Sequence, residues 1–291
     1  MIWFLFALGG ALCNAGYSFA IKRLLKEIDL KLLVAGTNLT ASILLLLFSW
    51  LHSFPPIGQT FWSAAFATIL INILATLLYF KALDSSDLSL VMPMLCFTPS
   101  FLIFTSYIIL GEVPSLYGIL GICLIVGGSL GLTVHIQENP IKNSGENFLK
   151  THKGIIYMII TAFLFSIAVN FDKETVLQSD ILFSSGFVLG ILGIIFFIWY
   201  FLEKKSVRGI SKNAPSIIIA GVILSGEAIT INAAFTLMLV PYVISVKRLS
   251  ILFCILVGGI ALQESDMKKR LIFGFIMVGG AILIILTSSS G

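Results

Sequence analysis

The sequence predicts an all-α integral membrane protein with ten transmembrane helices arranged as two inverted five-helix repeats. Three observations carry this expectation. The 291 residues are 58% apolar and only 11% charged, against about 45–50% and roughly 25% in soluble domains. The apolar residues gather into ten runs of the length that a hydrocarbon layer of about 30 Å requires. The second half also repeats a pattern of the first at a constant offset of 152 positions. With a mean hydropathy of +1.06, a water-soluble globule would lack the polar residues to cover its surface. This composition excludes a cytosolic enzyme, a nucleic-acid binder and a disordered chain. The net charge of +4 is small and requires no polyanionic partner.

The first run, 2–21, lacks a basic start, and Lys22, Arg23 and Lys26 follow it directly. It therefore reads as a retained helix, not a cleaved leader. Runs two to five cover 32–51, 61–80, 88–110 and 116–134. Runs six to ten cover 154–171, 181–202, 215–239, 242–262 and 271–286. Most are continuously apolar, which argues against the alternating strands of a β-barrel. Short connections carry turn chemistry, as in Pro55-Pro56-Ile57-Gly58 and Asp84-Ser85-Ser86-Asp87. One longer polar stretch, 136–153, separates a first repeat at 1–135 from a second at 154–291, and no soluble domain is expected.

Charge sets the expected orientation. Fifteen of the 18 Lys and Arg residues fall in odd-numbered loops, among them Lys31, Lys81, Lys142, Lys204, Arg208 and Arg270. The even loops and both ends hold none, Lys173 being counted with helix 6. Positive loops stay cytoplasmic. A multi-pass protein of the plasma (inner) membrane is therefore expected, with odd loops inside and both termini outside.

The repeat is read by sliding one half over the other. Residues 109–132 read ILGEVPSLYGILGICLIVGGSLGL, and 261–284 read ALQESDMKKRLIFGFIMVGGAILI. Leu110, Glu112, Val126, Gly127 and Gly128 meet Leu262, Glu264, Val278, Gly279 and Gly280. Upstream, Phe101 meets Phe253, Val91 meets Val243 and Ala82 meets Ala234. Five helices is an odd number, so the second repeat enters the membrane in the opposite sense. Inverted repeats of this kind build secondary transporters, with the site near the midplane.

On these features the chain resembles the drug/metabolite transporter superfamily, specifically its ten-helix EamA-type carriers, over nearly its whole length. The features are the duplicated helix-end glutamate (Leu110-Gly111-Glu112 and Leu262-Gln263-Glu264), Pro99 thirteen residues before Glu112, and the Gly-Gly pair ending each repeat. The resemblance implies a carrier of amino acids, other metabolites, nucleotide-like compounds or lipid-linked sugars. The chain departs from the pattern at Ile251, where the second repeat lacks the proline. It departs also in orientation, since many relatives keep their termini inside.

Ionisable groups inside a membrane persist when they are paired or line a wet cavity. Glu227 lies in helix 8, and Lys247 and Arg248 follow Pro241 in helix 9. Counted from a turn near Val240 at 1.5 Å per residue, Glu227 is about 20 Å deep and Lys247 about 10 Å. One reading makes Lys247 or Arg248 an anchor for a substrate carboxylate or phosphate, with Glu227 binding an amine or carrying a coupling proton. The other makes them a structural ion pair, or one long cation snorkelling to the headgroups. Polar stripes at helical spacing add Asn14, Tyr17 and Ser18 in helix 1 and Thr68, Asn72, Thr76 and Tyr79 in helix 3. Helix 6 adds Ser166, Asn170 and Lys173. These stripes face either a cavity or neighbouring helices. The charges of Asp172-Lys173-Glu174 are expected to be solvated at the outer interface. Asn232 is expected to lie well round from Glu227. Pro93 and Pro99 can bend helix 4 as a gate or as a fixed kink. Glu112 and Glu264 read as loop-fixing residues, and the Gly-Gly pairs as packing sites.

Cys13, Cys96, Cys123 and Cys254 lie in apolar runs with no CxxC, and the three histidines have no ligand spacing. No metal site or cofactor is expected. There is no GxxxxGK[ST] stretch to cradle nucleotide phosphates. The expected function is secondary transport of a small polar metabolite, an amino acid or a related anionic or zwitterionic compound, by alternating access. The alternative is a flippase for a lipid-linked, phosphate-bearing sugar. A membrane enzyme would need an acid–base pair, nucleophile or metal set that the spans do not offer, and a receptor or scaffold has no use for buried charge with inverted repeats. The expected partners are a small-molecule substrate and the lipid bilayer, with no nucleic acid.

Overall fold

The computed structural model describes residues 1–86, 91–136, 148–203, 210–254 and 267–288. Among these residues there is helix and no strand. The helices are α1 (Ile2–Leu24), α2 (Leu30–Leu51), α3 (Phe61–Ser85), a 3₁₀ segment (Met92–Phe97) and α4 (Thr98–Leu110). They continue with α5 (Leu116–Ile136), α6 (Phe148–Leu177), α7 (Ile181–Leu202), α8 (Ile210–Phe235), α9 (Val240–Lys247) and α10 (Met267–Ser288). Among the described residues, seven helical stretches are long and apolar enough to cross a membrane, and α5 and α10 contribute shorter apolar helices. Phe66, Phe104, Ile108 and Phe275 point away from the bundle. A soluble monomer rarely exposes so much apolar surface, and the chain is a multi-pass membrane protein.

Local chemistry sets the helix ends. Asp29 accepts the backbone N–H of Lys31 at 2.9 Å to start α2, and Asp180 accepts that of Phe183 at 2.6 Å to start α7. Gly111 ends α4 in the left-handed region, at φ 69°, which a side chain would resist. Pro241 sits in the first turn of α9, where no N–H is needed. The helix read at 88–110 is interrupted. Pro93 and Pro99 stand in the first turns of the 3₁₀ segment and of α4, so each starts a helix instead of bending one. The ninth helix is interrupted as well. It turns at Arg248 and resumes helical over 249–254. Helix α8 begins upstream of Pro215 and stops at Phe235, four residues short of the expected end. Helix α6 already runs from Phe148, inside the stretch read as a linker. The central loop at 137–147 and the motif Leu262-Gln263-Glu264 lie outside the described residues.

The main pairings place α3 on α6, α1 on α8, α2 on α7 and α8, and α5 on α10, with α4 also against α6 and α9 against α1. The α5–α10 crossing is close. A Cβ on Gly121 would stand 2.7 Å from the carbonyl oxygen of Gly280, and one on Gly280 would stand 2.6 Å from that of Gly121. Gly127 and Gly279 face open space, whereas Gly128 meets Phe273 and Met277. Only the second glycine of each pair therefore serves packing.

The largest buried cluster joins α1, α4, α5, α8, α9 and α10 through residues such as Trp3, Leu102, Ile122, Phe235, Val243 and Met277. A second gathers Leu24, Ile28, Leu33, Tyr200 and Ile217 from α1, the 25–29 loop, α2, α7 and α8. The opposite end of the bundle carries loops 52–60, 111–115, 178–180 and 236–239. These four loops are tied to neighbouring segments: Gly58 N–H donates to Gln178 O at 2.7 Å, and Val240 N–H to a Glu112 carboxylate oxygen at 2.7 Å.

Candidate functional site

Because α8 ends at Phe235, Glu227 lies about 12 Å from that end, and Lys247 lies about 10 Å along α9 from Val240. The turn at 236–239 brings these two depths level. Lys247 Nζ meets Glu227 Oε1 at 2.6 Å, and Asn14 Nδ2 from α1 donates to the same oxygen at 3.0 Å. Glu227 is 6% exposed, and its second oxygen, Oε2, is buried without a hydrogen-bond partner among the described residues. Lys247 keeps 29% of its side chain exposed. The pair is thus lopsided, with a fixed, enclosed carboxylate facing a more accessible ammonium.

Both groups line a cavity of about 190 Å³ walled by α6, α7, α8 and α9. Asp172 enters from α6, Ser184 and Ser185 from the first turn of α7, and Asn232 from α8. Asn232 donates to Ser185 Oγ at 2.6 Å. Asp172 accepts from Thr68 of α3 at 2.6 Å and lies within electrostatic range of Lys247. The remaining wall is mainly apolar, with Val169, Val188, Leu189 and Ile231. Charge in such surroundings is stabilised only by partners.

The other sequence-predicted residues fall outside this wall. Tyr17 pairs its hydroxyl with Thr37 Oγ1 at 3.1 Å and packs on the Leu24–Tyr200 cluster. Asn72 and Thr76 bond the carbonyls one turn before them on α3, at 2.9 and 2.8 Å. The Tyr79 hydroxyl donates to Met92 Sδ at 3.6 Å. Asn170 is fully buried between α4 and α6, accepting from Ser106 at 2.6 Å and donating to Thr105 at 3.1 Å. Its stripe faces α4, so it holds helices together. Arg248 lies within electrostatic range of Cys96 of the 3₁₀ segment, and its Nε is buried without a partner among the described residues. Pro93 and Pro99 are buried at helix starts.

Two expectations are corrected. Asp172-Lys173-Glu174 is not a solvated run. Asp172 lines the cavity, Lys173 pairs with Glu112 at 2.6 Å, and Glu174 accepts from Thr60 at 2.7 Å. Helix α6 extends to Leu177, so Asp172 and Lys173 stay inside the bundle, while Glu174 lies at its edge. Asn232 shares the cavity with Glu227 because the wall takes a wide arc of α8, from Leu224 through Ile231 to Phe235. The spacing of Val169, Asp172 and Thr175 marks this second polar face of α6, and it was the available signal for Asp172.

Residues 1–134 match the model of the EamA-like transporter family, part of the drug/metabolite transporter superfamily. No curated protein matches the chain. Among solved structures, one crystal structure of a protein with 15% sequence identity superposes with a TM-score of 0.78. The match covers 99% of this chain and 98% of the other, which shows that the two share a fold.

Proposed function

We propose that the whole chain acts as the EamA-like match of its first 134 residues implies, as a secondary carrier of a small polar metabolite working by alternating access. The observation that carries this reading is the Lys247–Glu227–Asn14 set beside a cavity in a bundle of membrane-capable helices. Breaking a buried ion pair costs about 3–5 kcal/mol, and keeping one adds little stability over apolar packing. A charged set retained on a cavity wall therefore serves contact with a solute.

Two further features support an inverted-repeat carrier of ten helices. Exchanging each helix with the one five later turns the α3–α6 pairing into α8–α1 and α4–α6 into α9–α1, and returns α2–α7 and α5–α10 to themselves. At the offset of 152, Arg248 corresponds to Cys96, inside the 3₁₀ segment. The fourth and ninth helices are thus interrupted at matching positions. Interrupted helices in corresponding places of two halves point to a transport site. By the distribution of Lys and Arg, loops 52–60, 111–115, 178–180 and 236–239 face outward. The cavity lies nearest that side, and the Leu24–Tyr200 cluster closes the other.

The cavity volume favours a metabolite of amino-acid size over a lipid-linked sugar, since drug-sized ligands already occupy about 300–1,000 Å³. In this reading Glu227 also carries the coupling proton. The test is a counterflow screen of amino acids and related compounds in vesicles holding the purified chain. Accumulation of one compound class, abolished by Glu227→Gln and altered by Lys247→Ala with insertion intact, supports the carrier. Undiminished counterflow in both variants reduces the pair to a structural link.

A further inference from the structure

The cavity wall is one positive charge short. Among its described residues it carries two carboxylates, Asp172 and Glu227, and one cation, Lys247. Lys247 is already committed to Glu227 Oε1 at 2.6 Å and lies within electrostatic range of Asp172 as well. Among the described residues Asp172 has only the neutral hydroxyl of Thr68 as a close donor, at 2.6 Å. Glu227 Oε2, on a residue 6% exposed, has no donor at all among the described residues. A buried carboxylate oxygen left without a donor is costly, and here it belongs to a side chain on the cavity wall.

We propose that this site recognises the ammonium group of its substrate, which binds between Glu227 Oε2 and Asp172. The carbon skeleton then rests on Val169, Val188 and Ile231. The proposal takes the site from the carrier reading and sharpens its substrate class to small primary amines, amino acids included on the strength of their amino group. Lys247 then serves as a counter-ion that the incoming ammonium displaces from Glu227. Its partly exposed side chain leaves it room to move, whereas Glu227 is held by Asn14. A carboxylate anchored on Lys247 would instead enter a wall already carrying net negative charge.

The experiment measures equilibrium binding to the purified full chain in nanodiscs, with valine, its decarboxylated analogue isobutylamine and its deaminated analogue isovalerate as probes. A panel of small primary amines graded by chain length accompanies them. Isobutylamine or a longer amine is expected to bind, and isovalerate is not. Glu227→Gln weakens amine binding by about tenfold or more, the scale of losing one partner of a buried charge pair. Asp172→Asn weakens it in the same direction. Lys247→Gln leaves amine binding equal or tighter, because the wall becomes more negative. Binding of isovalerate without any amine overturns the proposal, as does absence of binding by every amine in the panel. Loss of amine binding in a correctly folded Lys247→Gln chain also overturns it. Counterflow of the same probes separates the two readings. Amine binding without counterflow leaves the ammonium site standing and removes the carrier, whereas counterflow of isovalerate alone keeps the carrier and removes the ammonium site.

Discussion

At Glu112 a single carboxylate serves three segments. One oxygen takes Lys173 Nζ at 2.6 Å and the other takes the backbone N–H of Val240 at 2.7 Å, at the start of α9. Lys173 also donates to Met238 O at 2.9 Å. The pair is 12% and 8% exposed, so removing one partner strands the other in a poorly solvated place. Glu112→Gln is expected to lower stability by about 3 kcal/mol, read as a fall in the thermal midpoint of the detergent-purified chain. Glu112→Gln combined with Lys173→Met should recover most of that fall. If the double variant is no more stable than the single one, the pair is not what holds this end of the bundle. The sequence marked Glu112 through its place after Leu110-Gly111, and it marked Glu227 and Lys247 because charge inside an apolar run stands out. Asp172 was harder to read. It lies near a helix end, where charge is ordinarily solvated, and only the packing of α3, α7, α8 and α9 around α6 encloses it.

Among the helices, the α5–α10 crossing depends on the absence of side chains at two positions. Gly121 and Gly280 each present a backbone carbonyl to the other helix, and small residues are what permit such approach between spans. Gly121→Ala or Gly280→Ala is expected to cost about 1–3 kcal/mol, the usual penalty of forcing volume into a packed contact. Gly127→Ala and Gly279→Ala, facing open space, should leave the thermal midpoint unchanged or slightly raised. Equal effects at all four positions would contradict this assignment. The apolar runs located each helix within a few residues because burial in lipid demands them. They could not reveal the interruptions at 92–97 and 248, since a 3₁₀ turn and an α-helix share the same apolar composition. The prolines at 93 and 99 carried the only local sign, and nothing comparable stands at Ile251.

For the molecule as a whole, the two ends of the bundle differ in how they are closed. Loops 52–60, 111–115, 178–180 and 236–239 are tied by hydrogen bonds and the Glu112–Lys173 pair at the end nearest the cavity. The Leu24–Tyr200 cluster and the Lys31–Glu203 ion pair close the other end, where Lys31 also lies 4.1 Å from the Trp199 ring centre. A carrier must open each closure in turn while the other holds. The polar ties can exchange partners with water, and the apolar cluster can part only by helix movement. The most direct test uses a single cysteine at Ala228, on the cavity wall, in a chain whose four native cysteines are replaced. An impermeant maleimide is applied from either face of sealed vesicles. Labelling from both faces is expected, with an amine ligand shifting the balance between them. Labelling from one face alone, whatever ligand is present, would contradict alternating access around this cavity.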